Sequence, residues 1–121
     1  ELYKSTNIDS LAPALGSVHG FYIGKANLDF KTMKELNEKL PIPLVLHGGT
    51  GIPTDKIKYA IDCGISKINI NTDLQVTWHK EVKKFIEENP DVYDPRKIIS
   101  SGEEKLKKRI AEIVTLLGTK L

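Results

Sequence analysis

Two histidines, each followed by glycine, are the residues of this sequence best suited to chemistry: His19-Gly20 and His47-Gly48-Gly49-Thr50-Gly51. Neutral imidazole is the commonest protein metal ligand, and glycines let backbone N–H groups come close to an anion. A third polar cluster follows, Lys67-Ile-Asn69-Ile-Asn71-Thr72-Asp73. Its period of two places Asn69 and Asn71 on one face of a strand and Ile68 and Ile70 on the other. In Pro43-Leu-Val-Leu-His47 the same alternation puts Val45 and His47 on one face. The residues alone leave two readings of the histidines open. Either they share a metal, or one is a satisfied core histidine and the other a loop histidine. Their spacing matches no familiar metal motif such as His-Glu-x-x-His. His79, beside Lys80 in a helical pattern, reads as a surface residue.

The glycine turn and Asn71-Thr72 each lead into a helix. Two helix starts on adjacent units could supply N–H groups to one phosphate. The other reading is a pair of ordinary tight turns with helix caps, and Asp55 and Asp73 count against an anion directly at those ends.

The elements that must position these residues alternate. Ile8 to Leu15 is an apolar run between Asn7 and Gly16 and reads as a buried strand. Asp29 is the expected cap of a helix with Phe30, Met33, Leu36 and Leu40 on one face, stopped by Pro41 and Pro43. The second strand ends at His47. Thr54 is then expected to cap a helix carrying Ile57, Ala60 and Ile61, closed by Gly64. Ile65 to Asn71 is the third strand. Thr72 with Gln75 has capping-box spacing for a helix with Leu74, Trp78, Val82, Phe85 and Ile86 facing inward. A loop containing Asp94-Pro95-Arg96 follows. Ser101 with Glu104 then predicts a last helix with the stripe Leu106, Ile110, Ile113, Val114 and Leu117.

Such alternation means parallel strands, and polar residues at strand C-terminal ends favour a (β/α)8 barrel over an open sheet. The expected fold is α/β: the C-terminal part of a TIM barrel, about three βα units plus a terminal helix. A whole barrel takes about 250 residues, and the chain has 121. Residues 1–121 are therefore expected to be the C-terminal half of a single barrel domain. The chain begins at Glu1 without a methionine, which fits truncation.

Composition sets the outer limits. Apolar content of 40% and charged content of 28% are those of a globular protein, and one domain is all this length holds. A net charge of +2, with lysines spread among glutamates, argues for neither nucleic acid nor membrane as partner. Cys63 is the only cysteine, which excludes an internal disulfide and fits a reducing, cytoplasmic setting. Its place in an apolar helical pattern reads as core.

Taken in series, Leu11-Ala-Pro-Ala-Leu-Gly-Ser-Val-His19-Gly20, Leu44-Val-Leu-His47-Gly-Gly-Thr-Gly51, Lys67-Ile-Asn-Ile-Asn71-Thr and Tyr93-Asp-Pro-Arg96-Lys resemble class II, metal-dependent fructose-bisphosphate aldolases. The resemblance runs over essentially the whole chain. It implies reversible aldol cleavage of fructose 1,6-bisphosphate to dihydroxyacetone phosphate and glyceraldehyde 3-phosphate. It also implies a catalytic zinc ion held by His19 and His47. Gly20, Gly48, Gly49 and Thr50, with Asn69, Ile70, Asn71 and Thr72, would hold dihydroxyacetone phosphate. The Asn69 side chain would act in catalysis beside the enediolate, and Arg96 would reach the distal phosphate across a subunit boundary in a homo-oligomer. A monovalent cation is implied near the glycine turn. The family's remaining zinc histidine, its proton-shuttling aspartate and its mobile-loop glutamate would lie in a missing N-terminal half of the barrel. Tagatose-bisphosphate aldolase is the nearest rival within the class. A non-catalytic, truncated phosphate-binding fragment is the rival outside it.

Overall fold

Leu44, Val45 and Leu46 are buried on both sides, and they form the short strand around which the N-terminal part of the molecule is built. The computed structural model describes residues 2–20 and 26–118. It divides into two compact units, Glu1–Asn71 and Thr72–Leu121.

The first unit contains helix α1 (Leu2–Thr6), helix α2 (Phe30–Lys39), strand β1 (Leu44–Leu46), helix α3 (Thr54–Asp62) and strand β2 (Ile65–Ile68). Helix α2 starts where expected. The Asp29 carboxylate accepts from the Thr32 N–H at 2.9 Å and from the Thr32 hydroxyl at 2.6 Å, which satisfies a helix-start donor. The helix ends as Leu40 turns to extended backbone before Pro41. Met33 is its buried anchor, and Phe30 meets Tyr59 of α3 edge-on at 4.8 Å. Burying side chains such as Met33, Leu44 and Leu46 stabilises by roughly 1.5–3 kcal/mol each.

Strands β1 and β2 pair in parallel, Leu44 with Ile65, Val45 with Lys67 and Leu46 with Ile68, with a register irregularity after Leu44. On the other side of β1, Leu11 forms a single parallel bridge: its N–H donates to the Pro43 carbonyl at 3.0 Å, and its carbonyl accepts from Val45 at 2.8 Å. The expected buried strand Ile8–Leu15 is therefore reduced to that bridge. Pro13 has no N–H to continue a ladder, and of the run only Leu15 is buried. Regular pairing of β2 stops at Ile68, earlier than the expected Asn71. Helix α3 buries Ile57 and Ala60, and Cys63 at its end is a buried free thiol, as read from sequence. Its cap differs: Thr54 is already helical, and Pro53 at the capping position has no side chain able to bond.

The second unit is helical: α4 (Thr72–Glu88), α5 (Pro95–Ser100) and α6 (Glu103–Leu116). Asp94-Pro95-Arg96, expected in a loop, opens α5 instead. Asp94 accepts from the Arg96 N–H at 3.0 Å, and Pro95 takes the first turn, where its missing N–H costs nothing. Neither expected capping box forms. Thr72 is itself the first residue of α4, while α6 is capped by Gly102, with the Ser101 hydroxyl bonded back to Ile98 O at 2.7 Å. Helix α4 buries only Val82 and α6 buries nothing; Ile86 and Ile110 are exposed. Trp78 is half-buried, its indole N–H donating to the Ile99 carbonyl at 3.1 Å. No helix among the described residues is long and apolar enough to cross a membrane.

Candidate active site

His47 leaves the end of β1 directly into the glycine turn, and Asn69 leaves the end of β2 beside it. The two chain ends are tied by the backbone. Asn69 N–H donates to the Leu46 carbonyl at 2.9 Å, and Gly49 N–H donates to the Asn69 carbonyl at 2.9 Å. This clamp fixes where the Asn69 side chain can go. Its amide nitrogen lies 3.1 Å from His47 Nδ1. With the amide donating, the proton of a neutral His47 ring sits on Nε2.

His19 comes from the segment after Leu15, and its ring centre lies 5.7 Å from that of His47, tilted by 45°. Gly48 makes the approach possible. It has φ +66°, and a Cβ there would collide with the Val18 carbonyl, the residue before His19. Gly49 is restricted less severely and chiefly by side chains: a Cβ would stand 2.7 Å from Ile68 Cγ2 and 2.9 Å from Ile70 Cγ1. Behind it Thr50 is buried, and Ile52 N–H closes the turn onto the Gly49 carbonyl at 3.4 Å. Both histidines are exposed, so a ligand can reach them.

The first unit thus gathers His19, Gly20, His47, Gly48, Gly49, Thr50, Asn69 and Ile70 around one strand end. Two imidazoles on one tetrahedral metal have ring centres roughly 5–6 Å apart, given bonds near 2.0–2.1 Å, so the observed pair fits two positions of such a set. Among the described residues, no group of three or more His, Cys, Asp or Glu side chains is placed to hold a metal. For Nε2 of His47 to bind one, its proton must pass to Nδ1 and the Asn69 amide must turn to present its oxygen.

Thr72 and Arg96 belong to the second unit. Thr72 opens α4. Arg96 sits in the first turn of α5 with its guanidinium doubly bonded to Asp94, Nε to Oδ1 at 3.1 Å and the terminal nitrogen to Oδ2 at 2.8 Å. These bonds hold the Asp94 carboxyl below the usual range and raise Arg96 above its own. Asn71, the last residue of the first unit, is exposed, as is His79 on α4. Two contacts had no signal in the sequence. Lys56 donates to the Ala26 carbonyl across 30 residues, and Arg109 pairs with Asp73 across 36.

The mixed α/β arrangement with its parallel strands matches part of the TIM barrel of solved aldolases. A crystal structure of the YdjI aldolase from Escherichia coli K12 superposes with a TM-score of 0.76 at 35% identity, covering 96% of this chain and 42% of that one. The sequence model of the family described as fructose-bisphosphate aldolase class-II matches residues 1–120, and the chain belongs to that family. It is 54% identical over 107 residues to a fructose-bisphosphate aldolase of Geobacillus stearothermophilus, covering 88% of this chain and 37% of the relative. It is also 50% identical over 118 residues to a 6-phospho-5-dehydro-2-deoxy-D-gluconate aldolase of Bacillus subtilis (strain 168), covering 98% and 41% respectively. The chain spans about two fifths of the length of these relatives.

Proposed function

We propose that this chain supplies the C-terminal part of a class II aldolase barrel, a single domain that includes both units, and works in the cytoplasm on a phosphorylated sugar. The reaction is reversible aldol cleavage of a ketose bisphosphate. The observation that carries this reading is the meeting of His19, His47 and Asn69 at one strand end, in a chain matched along 120 residues by the family. His19 and His47 would hold zinc together with a ligand from the remainder of the barrel. When bound, the metal supplies Lewis acidity toward the ketone oxygen.

The chain's own residues bind and orient. The amides of Gly48, Gly49 and Thr50 in the first unit, and those at the start of α4 from Thr72 in the second, would each serve as phosphate-binding donors. A monovalent cation beside the glycine turn would balance the phosphate charge. Asn69 is clamped by its backbone, so its amide can donate to the substrate oxygen that gains charge as the carbon–carbon bond breaks. Arg96 would release Asp94 to take the second phosphate, a planar fork on a bidentate acceptor.

Fructose 1,6-bisphosphate is the substrate favoured by the Geobacillus relative's name. The Bacillus gluconate aldolase stands at nearly the same identity and favours a second reading, a phosphorylated keto acid. Cleavage of fructose 1,6-bisphosphate, tagatose 1,6-bisphosphate and 6-phospho-5-dehydro-2-deoxy-D-gluconate, compared in the enzyme containing this chain, decides among them. In the same enzyme His47→Ala should release bound zinc and lower turnover by about three orders of magnitude or more. Retained zinc with near-normal turnover would overturn the metal assignment.

A further inference from the structure

The second unit holds an ion pair that the chemistry above does not use. Asp73 is the second residue of α4, next to Thr72. Its Oδ2 accepts from Arg109 Nε at 2.8 Å and lies 2.7 Å from a terminal guanidinium nitrogen. Arg109 comes from the middle of α6 and spends its other terminal nitrogen on Glu112, 3.0 Å away. The first turn of a helix favours negative charge, and Asp73 already supplies it there. A phosphate drawn to the same turn meets that carboxylate as a like charge.

We propose that Arg109 is a positioning residue of the phosphate site: by binding Asp73 it cancels the carboxylate that would otherwise oppose phosphate at the start of α4. The inference rests on the phosphate reading of Thr72 given above. It explains how an acidic residue sits beside a proposed anion site, the feature of the sequence that spoke most directly against one. A pair serving only to staple α6 to α4 would have the same distances, so the test must separate charge from tethering.

The enzyme containing this chain is assayed with inorganic phosphate as competitive inhibitor, and KM and kcat are measured separately with the bisphosphate. Arg109→Ala should raise the phosphate Ki and the KM about three- to tenfold at low salt, with an effect that shrinks as ionic strength rises. Turnover at saturation should stay within about twofold, because binding and not the chemical step is affected. Arg109→Lys should keep most of the wild-type affinity. Adding Asp73→Asn to Arg109→Ala should restore the Ki, since the opposing charge is gone while the tether stays broken. An unchanged Ki in Arg109→Ala, or no restoration by Asp73→Asn, makes the pair a staple and overturns the proposal. Thr72→Asp separates this from the underlying reading. If it weakens phosphate while Arg109→Ala does not, only the role of Arg109 falls; if it too leaves phosphate unaffected, the site at Thr72 falls and Arg109 with it.

Discussion

Nearly all the burial lies in one unit, while the other is helical and half-exposed. Among the described residues every buried apolar side chain except Val82 belongs to residues 2–71. Yet α4 and α6 carry apolar stripes as regular as that of α2. The difference is not in the helices but in what they have to pack on. Met33 of α2 and Ile57 of α3 lie over a sheet whose central strand is closed on both faces. Leu106 and Ile110 of α6 face Leu74, Trp78 and His79 across an open groove of about 550 Å³. An amphipathic pattern states which side of a helix wants cover, and only the sheet supplies it.

The strongest way to break this contrast is to truncate one apolar side chain in each unit. Leu46→Ala should cost about 2–5 kcal/mol, because the site is sealed and cannot collapse. Ile110→Ala, at a side chain 42% exposed, should cost under about 1 kcal/mol. Cys63, buried in the first unit, gives a local readout through its rate of thiol labelling. Leu46→Ala should accelerate that labelling by roughly two orders of magnitude, and Ile110→Ala should leave it nearly unchanged. Equal acceleration by both would mean that the units do not differ in stability.

A smaller effect sharpens the comparison at the site itself. Gly48→Ala must relieve both the left-handed backbone and the collision with the Val18 carbonyl. A cost on the order of 1–3 kcal/mol is expected, with the His19 and His47 rings moved apart. Zinc affinity measured by chelator competition should fall in the enzyme containing this chain. Unchanged affinity would show that the approach of the two histidine segments does not depend on Gly48.

How much of this was legible depends on how local the cause is. The α2 cap, the β1 strand and the core place of Cys63 follow from alternation and capping within a few residues, whereas the contact of Asn69 with His47 spans 22 residues and depends on the parallel pairing of β1 and β2. The strand expected at Ile8–Leu15 shrinks to one bridge because Pro13 can offer no donor, however apolar the run around it. The helix at Pro95 was missed although Asp-Pro is itself a start signal, with a capping carboxylate and a first-turn proline side by side. The pairing of Asp73 with Arg109 was beyond reach, since nothing within 36 residues of sequence encodes which basic residue of α6 comes to the start of α4. The alternation of strands and helices carries the α/β class, and the polar strand ends with four motifs in series carry the barrel.

The least of the expected effects compares the two aspartate caps, one in each unit. Asp29 accepts a backbone and a hydroxyl bond from Thr32; Asp94 accepts backbone and guanidinium bonds from Arg96. Each carboxyl is held below its ordinary value, chiefly by side-chain hydrogen bonding. A depressed carboxyl binds its proton more weakly in the folded chain than in the unfolded one. Its contribution is therefore complete above the unfolded value near pH 4 and is lost as pH falls through the lower folded value. Asp29→Asn and Asp94→Asn should each lower stability modestly at neutral pH and flatten its fall below about pH 4, where the protonated aspartate already contributes nothing. The two should part with salt. Asp94 owes its depression mainly to an exposed charged partner and should lose part of it at high ionic strength, whereas Asp29 leans first on a neutral hydroxyl and should not. Acid titrations of both variants at low and high salt, followed by amide exchange in α2 and α5, check this. Equal salt sensitivity would show that the Arg96 charge adds nothing beyond its hydrogen bonds.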